Sequence, residues 1–330
     1  VELLGDESWR VRKAVVERLV AWPDPERVAR ALVDALADGE NSGRRNAAVD
    51  ALIRTGRPAI PCLVEAASGG DADVRKFAVD VLAGIGDPSA VDCLIERLDD
   101  GDVNVCAAAV DALGTVGGPS ASDAVLATAI DAAGDPLVRF SALRAVAALE
   151  LALPVERLGD ALANPMLRPA ALGVLGGVAE DPEADDVLIK ALSASSRGTR
   201  EAAMRAILGR LARSDGPDAD ALAQRVRDAV SSTTVLLPDA IERLDEADLG
   251  TSLMLAQFLG LARDASAAVP LLRAAEDEAL EEVALGALAA MGGPAERAID
   301  AAWPDLGLVG RRCACRYFGS ATGTPSLERL

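Results

Sequence analysis

The chain contains no histidine. That removes Ser-His-Asp and Cys-His catalysis and histidine metal ligation, since each needs an imidazole to move a proton or hold an ion. Aromatic residues make up only 2% of 330 residues, yet the chain is 51% hydrophobic. Ala, Leu and Val must therefore do the packing, which suits helices stacked closely in layers. Lysine is confined to Lys13, Lys76 and Lys190, so Arg carries nearly all the positive charge. With 33 basic and 52 acidic residues the net charge is −19, which argues against a nucleic-acid groove, because phosphate binding needs excess Lys and Arg on one face. No apolar run reaches the roughly 20 residues of a membrane span and no signal peptide is visible. No membrane partner is expected, and the expected location is cytoplasmic. The cysteines, Cys62, Cys93, Cys106, Cys313 and Cys315, show neither zinc nor disulfide spacing and are expected chiefly as small buried apolar residues. Gly117-Gly118-Pro119 and Gly292-Gly293-Pro294 read as turns between helices, not phosphate loops. No catalytic residue, metal or cofactor is expected.

What is present is a phrase that recurs about every 30 residues. A polar cap is followed four positions later by Arg, then by a small or apolar residue and a bulky apolar one. Asp71-Ala72-Asp73-Val74-Arg75, with Ala78 and Leu82, is a clear copy. The arginine slot falls at Arg12, Arg45, Arg75, Cys106, Arg139, Arg168, Arg200, Ser252, Glu281 and Arg311. Successive slots stand 29 to 33 residues apart, except for a gap of 52 between Arg200 and Ser252. The caps are Ser8, Asn41, Asp71, Asp102, Asp135, Asn164, Ser196, Asp248 and Asp277, with Gly307 lacking a side chain. Their side-chain oxygens suit the free N–H groups of a helix's first turn, so each predicts a helix start.

Thirteen residues past the slot, Pro25, Pro58, Pro88, Pro119 and Pro294 mark a second helix start after a Gly- or Asp-containing turn. The second helices carry apolar residues at 3–4 spacing, as Val91, Leu94, Ile95 and Leu98 do, predicting one buried face. Each unit is thus helix, tight turn, helix, and the fold class is all-α. Arg at a fixed layer is expected to pair with the Asp or Asn of its own or the neighbouring turn. The excess length maps to residues 231–247, where Pro238 opens an additional helix through Leu244. This irregular insertion is either a contact element or a spacer.

Units of D-x-x-V-R, A-x-x-x-L and G-x-P-x-A resemble HEAT repeats, specifically the short bacterial and archaeal kind first catalogued in phycobilisome lyase subunits. The resemblance implies a single α-solenoid over 1–330, an armadillo-like superhelix of about ten stacked helix-turn-helix repeats. Leu4 falls where the tail of a preceding second helix belongs, and Gly323-Thr324-Pro325 opens another, so the sequence reads as an interior fragment of a longer array cut within repeats. The function implied is a non-enzymatic scaffold that binds a protein or peptide on the concave face, lined by second helices. Arg27, Arg30, Asp34, Asp92, Glu96, Asp185 and Asp186, polar positions between apolar ones, are the candidate surface. The acidic run Glu180 to Asp186 also reads as a solvated helix start. The alternative implied is a bilin lyase-like subunit acting on a phycobiliprotein chromophore. The histidine–glutamate iron site of HEAT-type deoxyhypusine hydroxylases has no counterpart without histidine. HEAT-like DNA glycosylases are disfavoured by the charge and by the wide separation of Trp9, Trp22 and Trp303.

Overall fold

The computed structural model describes residues 1–177 and 181–320. Glu180 and the helix expected from Gly323 lie outside the described residues. Two compact units are present, Val1–Val174 and Leu175–Leu330.

The first unit is built from helix pairs. They are α1 (Trp9–Val20) and α2 (Pro25–Leu36), α3 (Ser42–Thr55) and α4 (Ile60–Ala67), α5 (Ala72–Ile85) and α6 (Val91–Glu96). Then come α7 (Val103–Val116) and α8 (Pro119–Ile130), and α9 (Pro136–Ala148) and α10 (Gly159–Ala163). The helix α11 (Arg168–Gly177) contains the division between units. Residues 2–5, where the tail of a helix is expected, form a 3-10 turn that buries Leu4 against α1 and α3.

First helices pack on first helices, α5 on α7 and α7 on α9, while the second helices α2, α4, α6 and α8 pack on the first helices that follow them, α3, α5, α7 and α9. A first helix is therefore covered on several sides. Along α7, Val105, Cys106, Ala107, Ala109, Val110, Ala112 and Leu113 are all buried. A second helix such as α2 instead buries one stripe, Val28, Ala29, Leu32, Ala35 and Leu36, and leaves the rest to solvent. Small residues let the first helices approach closely: a Cβ at Gly114 would lie 2.8 Å from the Ala145 methyl.

The punctuation works as expected at most starts. Asp71 accepts from the N–H groups of Asp73 and Val74, and Asn41, Asp102, Asp135 and Asp248 cap in the same way. Ser8 and Ser196 make no side-chain cap bond. Gly86 ends α5 in the left-handed conformation, φ 68° and ψ 21°, a geometry open to glycine without a Cβ clash.

The second unit holds α12 (Pro182–Ala191), α13 (Arg197–Arg213), α14 (Pro217–Ser232), α15 (Leu236–Leu244) and α16 (Leu249–Ala262). The pattern continues through α17 (Ala268–Ala274), α18 (Glu281–Met291), α19 (Gly293–Ala302) and α20 (Leu308–Ser320). Here α13 is followed by two helices before the next first helix. α14 packs beside α12, as one second helix beside another, and α15 takes the place against α16 that a second helix normally fills. The stretch 231–247 thus holds the end of α14, the helix α15 and the turns around it. Among the described residues there is no strand, and no helix is long and apolar enough to cross a membrane.

Candidate functional site

The arginine slot lies where one repeat hands over to the next. In four layers its side chain turns back over the start of its helix and donates to carbonyls five and six residues before it, mostly in the turn between helices. Arg12 donates to Asp6 O at 2.7 Å and Glu7 O at 3.0 Å. Arg75 donates to Gly69 O at 3.1 Å and Gly70 O at 3.0 Å. Arg168 reaches Leu162 O at 2.6 Å and Ala163 O at 3.0 Å, and Arg200 reaches Ala194 O at 2.9 Å and Ser195 O at 3.0 Å. The physical cause is that carbonyls in a tight turn have no regular backbone partner and, where covered, need a donor from a side chain. The cap residues are engaged by the N–H groups of their own helices, whereas the expected pairing with an Asp of the neighbouring turn is met by Arg75, which reaches Asp100.

Arg75, Arg139 and Arg200 go further and reach a carboxylate in the following second helix or just beyond it. Arg75 grips Asp100 through Nε at 2.8 Å and Nη2 at 2.7 Å, holding that carboxyl below the usual range. Arg139 meets Asp160 at 2.7 Å. Arg200 meets Asp239 of α15 at 2.5 Å, and Arg197 shares the same carboxylate at 2.6 Å. Burial pushes Asp239 up, but its bonds to Arg200 and Arg197 outweigh that and leave it below the ordinary carboxylate value.

Slots without arginine leave space. At Cys106 the thiol makes only a weak contact with Asp100 O, 3.2 Å, and burial raises its pKa. Beside it opens a cavity of about 640 Å³ lined by Asp99, Gly101, Ala124, Thr128, Asp131 and Arg139, among others. Asp131 stands 25 residues past Cys106, as Asp100 stands 25 past Arg75. Ser252, whose hydroxyl lies 3.5 Å from Ala247 O, borders a smaller cavity of about 250 Å³ that includes Asp245, Arg273 and Asp277. Glu281 inverts the arrangement by accepting from Arg316 of α20. Asp131 was missed in the sequence because its signal, the 25-residue offset, means nothing until the Arg75–Asp100 pair is seen.

Arg27, Arg30 and Asp34 lie exposed along one stripe of α2, at offsets of three and seven residues. Asp92 and Glu96 are exposed on α6, and Asp99 in the following turn continues their stripe toward the cavity. Arg27, Arg30, Asp34 and Asp92 enter no ion pair among the described residues; Glu96 lies 3.7 Å from Arg97. The second unit departs from expectation. Asp185 is mostly covered, at 16% side-chain exposure, and pairs with Arg210 at 2.8 Å. Asp186 is exposed but engaged by Arg225. Asp185 lines a cavity of about 410 Å³ between α12 and α14. Of the cysteines, Cys93, Cys106 and Cys313 are buried and Cys315 is exposed, so the close pair on α20 does not share a face.

Residues 1–53 and 60–147 match the family of HEAT repeats. Those segments are HEAT repeats. The helix pairs of the second unit keep the same construction around the extra helix. Importin beta is similar at a TM-score of 0.54 and 14% identity, covering 99% of this chain and 53% of that one. The Escherichia coli protein YibA is similar at a TM-score of 0.51 and 18% identity, covering 85% and 96%. The CpcE–CpcF complex of phycocyanin lyase from Nostoc sp. PCC7120 shares 24% identity over 46% of this chain and 98% of that one, with a TM-score of 0.39. These likenesses concern the fold alone. No curated protein matches the sequence.

Proposed function

We propose that this HEAT-repeat chain is a non-enzymatic scaffold whose second helices bind a protein or peptide carrying basic residues. The observation that carries the reading is on α6. Asp92 is exposed and unpaired, Glu96 and Asp99 extend its stripe, and the stripe leads to an open cavity with further carboxylates. Other acids, such as Asp100, Asp185 and Asp239, are already engaged by arginines of the chain itself. A net charge of −19 favours encounter with a cationic partner, with a rate that falls as salt rises.

The test is calorimetric titration of the full chain with a lysine-rich dodecapeptide at low and physiological salt. The double variant Asp92→Lys, Glu96→Lys is expected to weaken binding at least tenfold, while reversal of the already paired Asp186 changes it less than twofold. Equal losses for both variants would reduce the effect to net charge and sink the assignment to α6.

A further inference from the structure

We infer that the cavity beside Cys106 is a receptor for a guanidinium group, the arginine side chain of a basic peptide lying along α6 and α8. The peptide's course rests on the function proposed above; the receptor rests on the chain's own repeats. In the layer before, Arg75 fills the corresponding place, with its guanidinium held between the carbonyls of Gly69 and Gly70 and the carboxylate of Asp100. In the layer of Cys106 the same acceptors recur and the cation does not. Asp100 O and Gly101 O stand six and five residues before the slot, as Gly69 O and Gly70 O stand before Arg75. Gly101 O takes no hydrogen bond from the described residues, and Asp100 O receives only the thiol. Asp131 waits at the position of Asp100, exposed, its side chain bonded only to the N–H of Ala133.

Charge and space agree with this occupant. Arg139 lines the far wall, but its charge is met by Asp160. Asp99, Asp131 and Asp135 then remain as carboxylates with no cationic partner among the described residues. Space of about 640 Å³, open to solvent, admits a side chain entering from outside. A planar guanidinium with five donors can satisfy two carbonyls and a carboxylate together; an ammonium cannot span them in that way. The neighbouring Ala124, Ala127 and Thr128 of α8 are small, so the apolar stem has a wall to lie against.

The experiment uses the full chain and two lysine-rich dodecapeptides that differ at one central residue, arginine or citrulline, titrated by calorimetry. The wild-type chain is expected to bind the arginine peptide at least fivefold more tightly. Cys106→Arg, which places the chain's own guanidinium in the slot, is expected to bind the two peptides alike. Asp131→Asn should reduce the preference to below twofold, and circular dichroism establishes that each variant is folded. If Cys106→Arg does not fold, Asp131→Asn still decides the matter. Equal wild-type affinity for both peptides, or a preference kept by Cys106→Arg, overturns the receptor while leaving the basic-partner function standing. Absence of binding by both peptides overturns both.

Discussion

In the first unit an arginine finds its carboxylate in the helix pair it opens or in the turn that follows: Arg139 at Asp160 and Arg75 at Asp100, 21 and 25 residues on. In the second unit Arg200 reaches Asp239, 39 residues on, past the whole of α14. What stays fixed is the place in the layer, not the distance along the chain. Where the slot arginine is largely withdrawn from water, as at Arg75, Arg139 and Arg200, the stack brings a carboxylate to it. Where an extra helix intervenes, α15 supplies the acceptor. Residues 231–247 are thereby tied into the packing through Asp239, and Arg243 of the same helix pairs with Glu201 of α13 at 3.3 Å. An insertion that merely protruded would carry no such bonds.

The sharpest way to break the comparison is to remove Asp239. Asp239→Ala leaves the Arg200 side chain, 9% exposed, without its carboxylate and removes the partner of Arg197 as well. The expected cost is about 2–3 kcal/mol, below the full penalty for a deeply buried pair because Asp239 keeps some exposure. Urea unfolding measures it, and hydrogen exchange should place the loosening in α13, α15 and α16. A loss under about 0.5 kcal/mol would mean that α15 is a spacer after all. Acid should mimic the substitution. The folded-state pKa of Asp239 lies below its ordinary value of 3.8, so the pair's contribution is fully present above that value and is lost as pH falls through the lower, folded one. Asp239→Ala should therefore flatten the decline in stability below pH 4.

The same comparison shows which features are readable from sequence. Period, caps and helix pairs are local, so Asp71-Ala72-Asp73-Val74-Arg75 announces its helix without help from the rest of the chain. The additional helix at 236–244 is legible too, from Pro238 and the length of the gap. Its role is not, because the bond from Arg200 to Asp239 depends on where α14 places α15. Asp185 looked like a surface acid for a similar reason: its partner Arg210 lies 25 residues away on another helix. On the candidate surface, Arg27, Arg30, Asp34, Asp92 and Glu96 could be recognised as exposed because a single buried stripe dictates the opposite face. The cavity at Cys106 could not, since an empty place is visible only against the arginine that fills its counterpart.

A second difference concerns how closely the first helices approach. In the first unit, a Cβ added at Gly114 would meet the Ala145 methyl at 2.8 Å and its Cα at 3.4 Å. In the second, a Cβ at Gly260 would meet Ala287 Cα at 2.7 Å, its methyl at 2.8 Å and its carbonyl oxygen at 3.1 Å. Backbone on both sides of the contact leaves α16 and α18 no side chain to rotate away. Gly260→Ala is expected to cost about 2 kcal/mol and Gly114→Ala about 1 kcal/mol, typical of overpacking after some gain in helix propensity. Equal costs in thermal unfolding would show that both helix pairs part with the same ease.

The smallest effect is expected at the more open of the first unit's two slot ion pairs. Arg139 is buried to 6% side-chain exposure, but Asp160 remains 46% exposed, and Arg139 also has Ala129 O at 3.4 Å. Water can therefore replace the carboxylate at modest cost, while the guanidinium keeps part of its bonding. Asp160→Ala is expected to destabilise by about 0.5–1 kcal/mol, well below the cost at Asp239. High salt should shrink the difference between wild type and Asp160→Ala further, since an exposed carboxylate is screened, and should leave the Asp239 effect largely intact. Measured together across a salt series, the two substitutions separate a layer closed by solvent-accessible charge from one closed by a carboxylate held inside the stack. If Asp160→Ala proved the costlier, partner exposure would not be what sets the strength of the layer. The carbonyl bonds of the slot, common to Arg12, Arg75, Arg168 and Arg200, would then be the next interaction to remove.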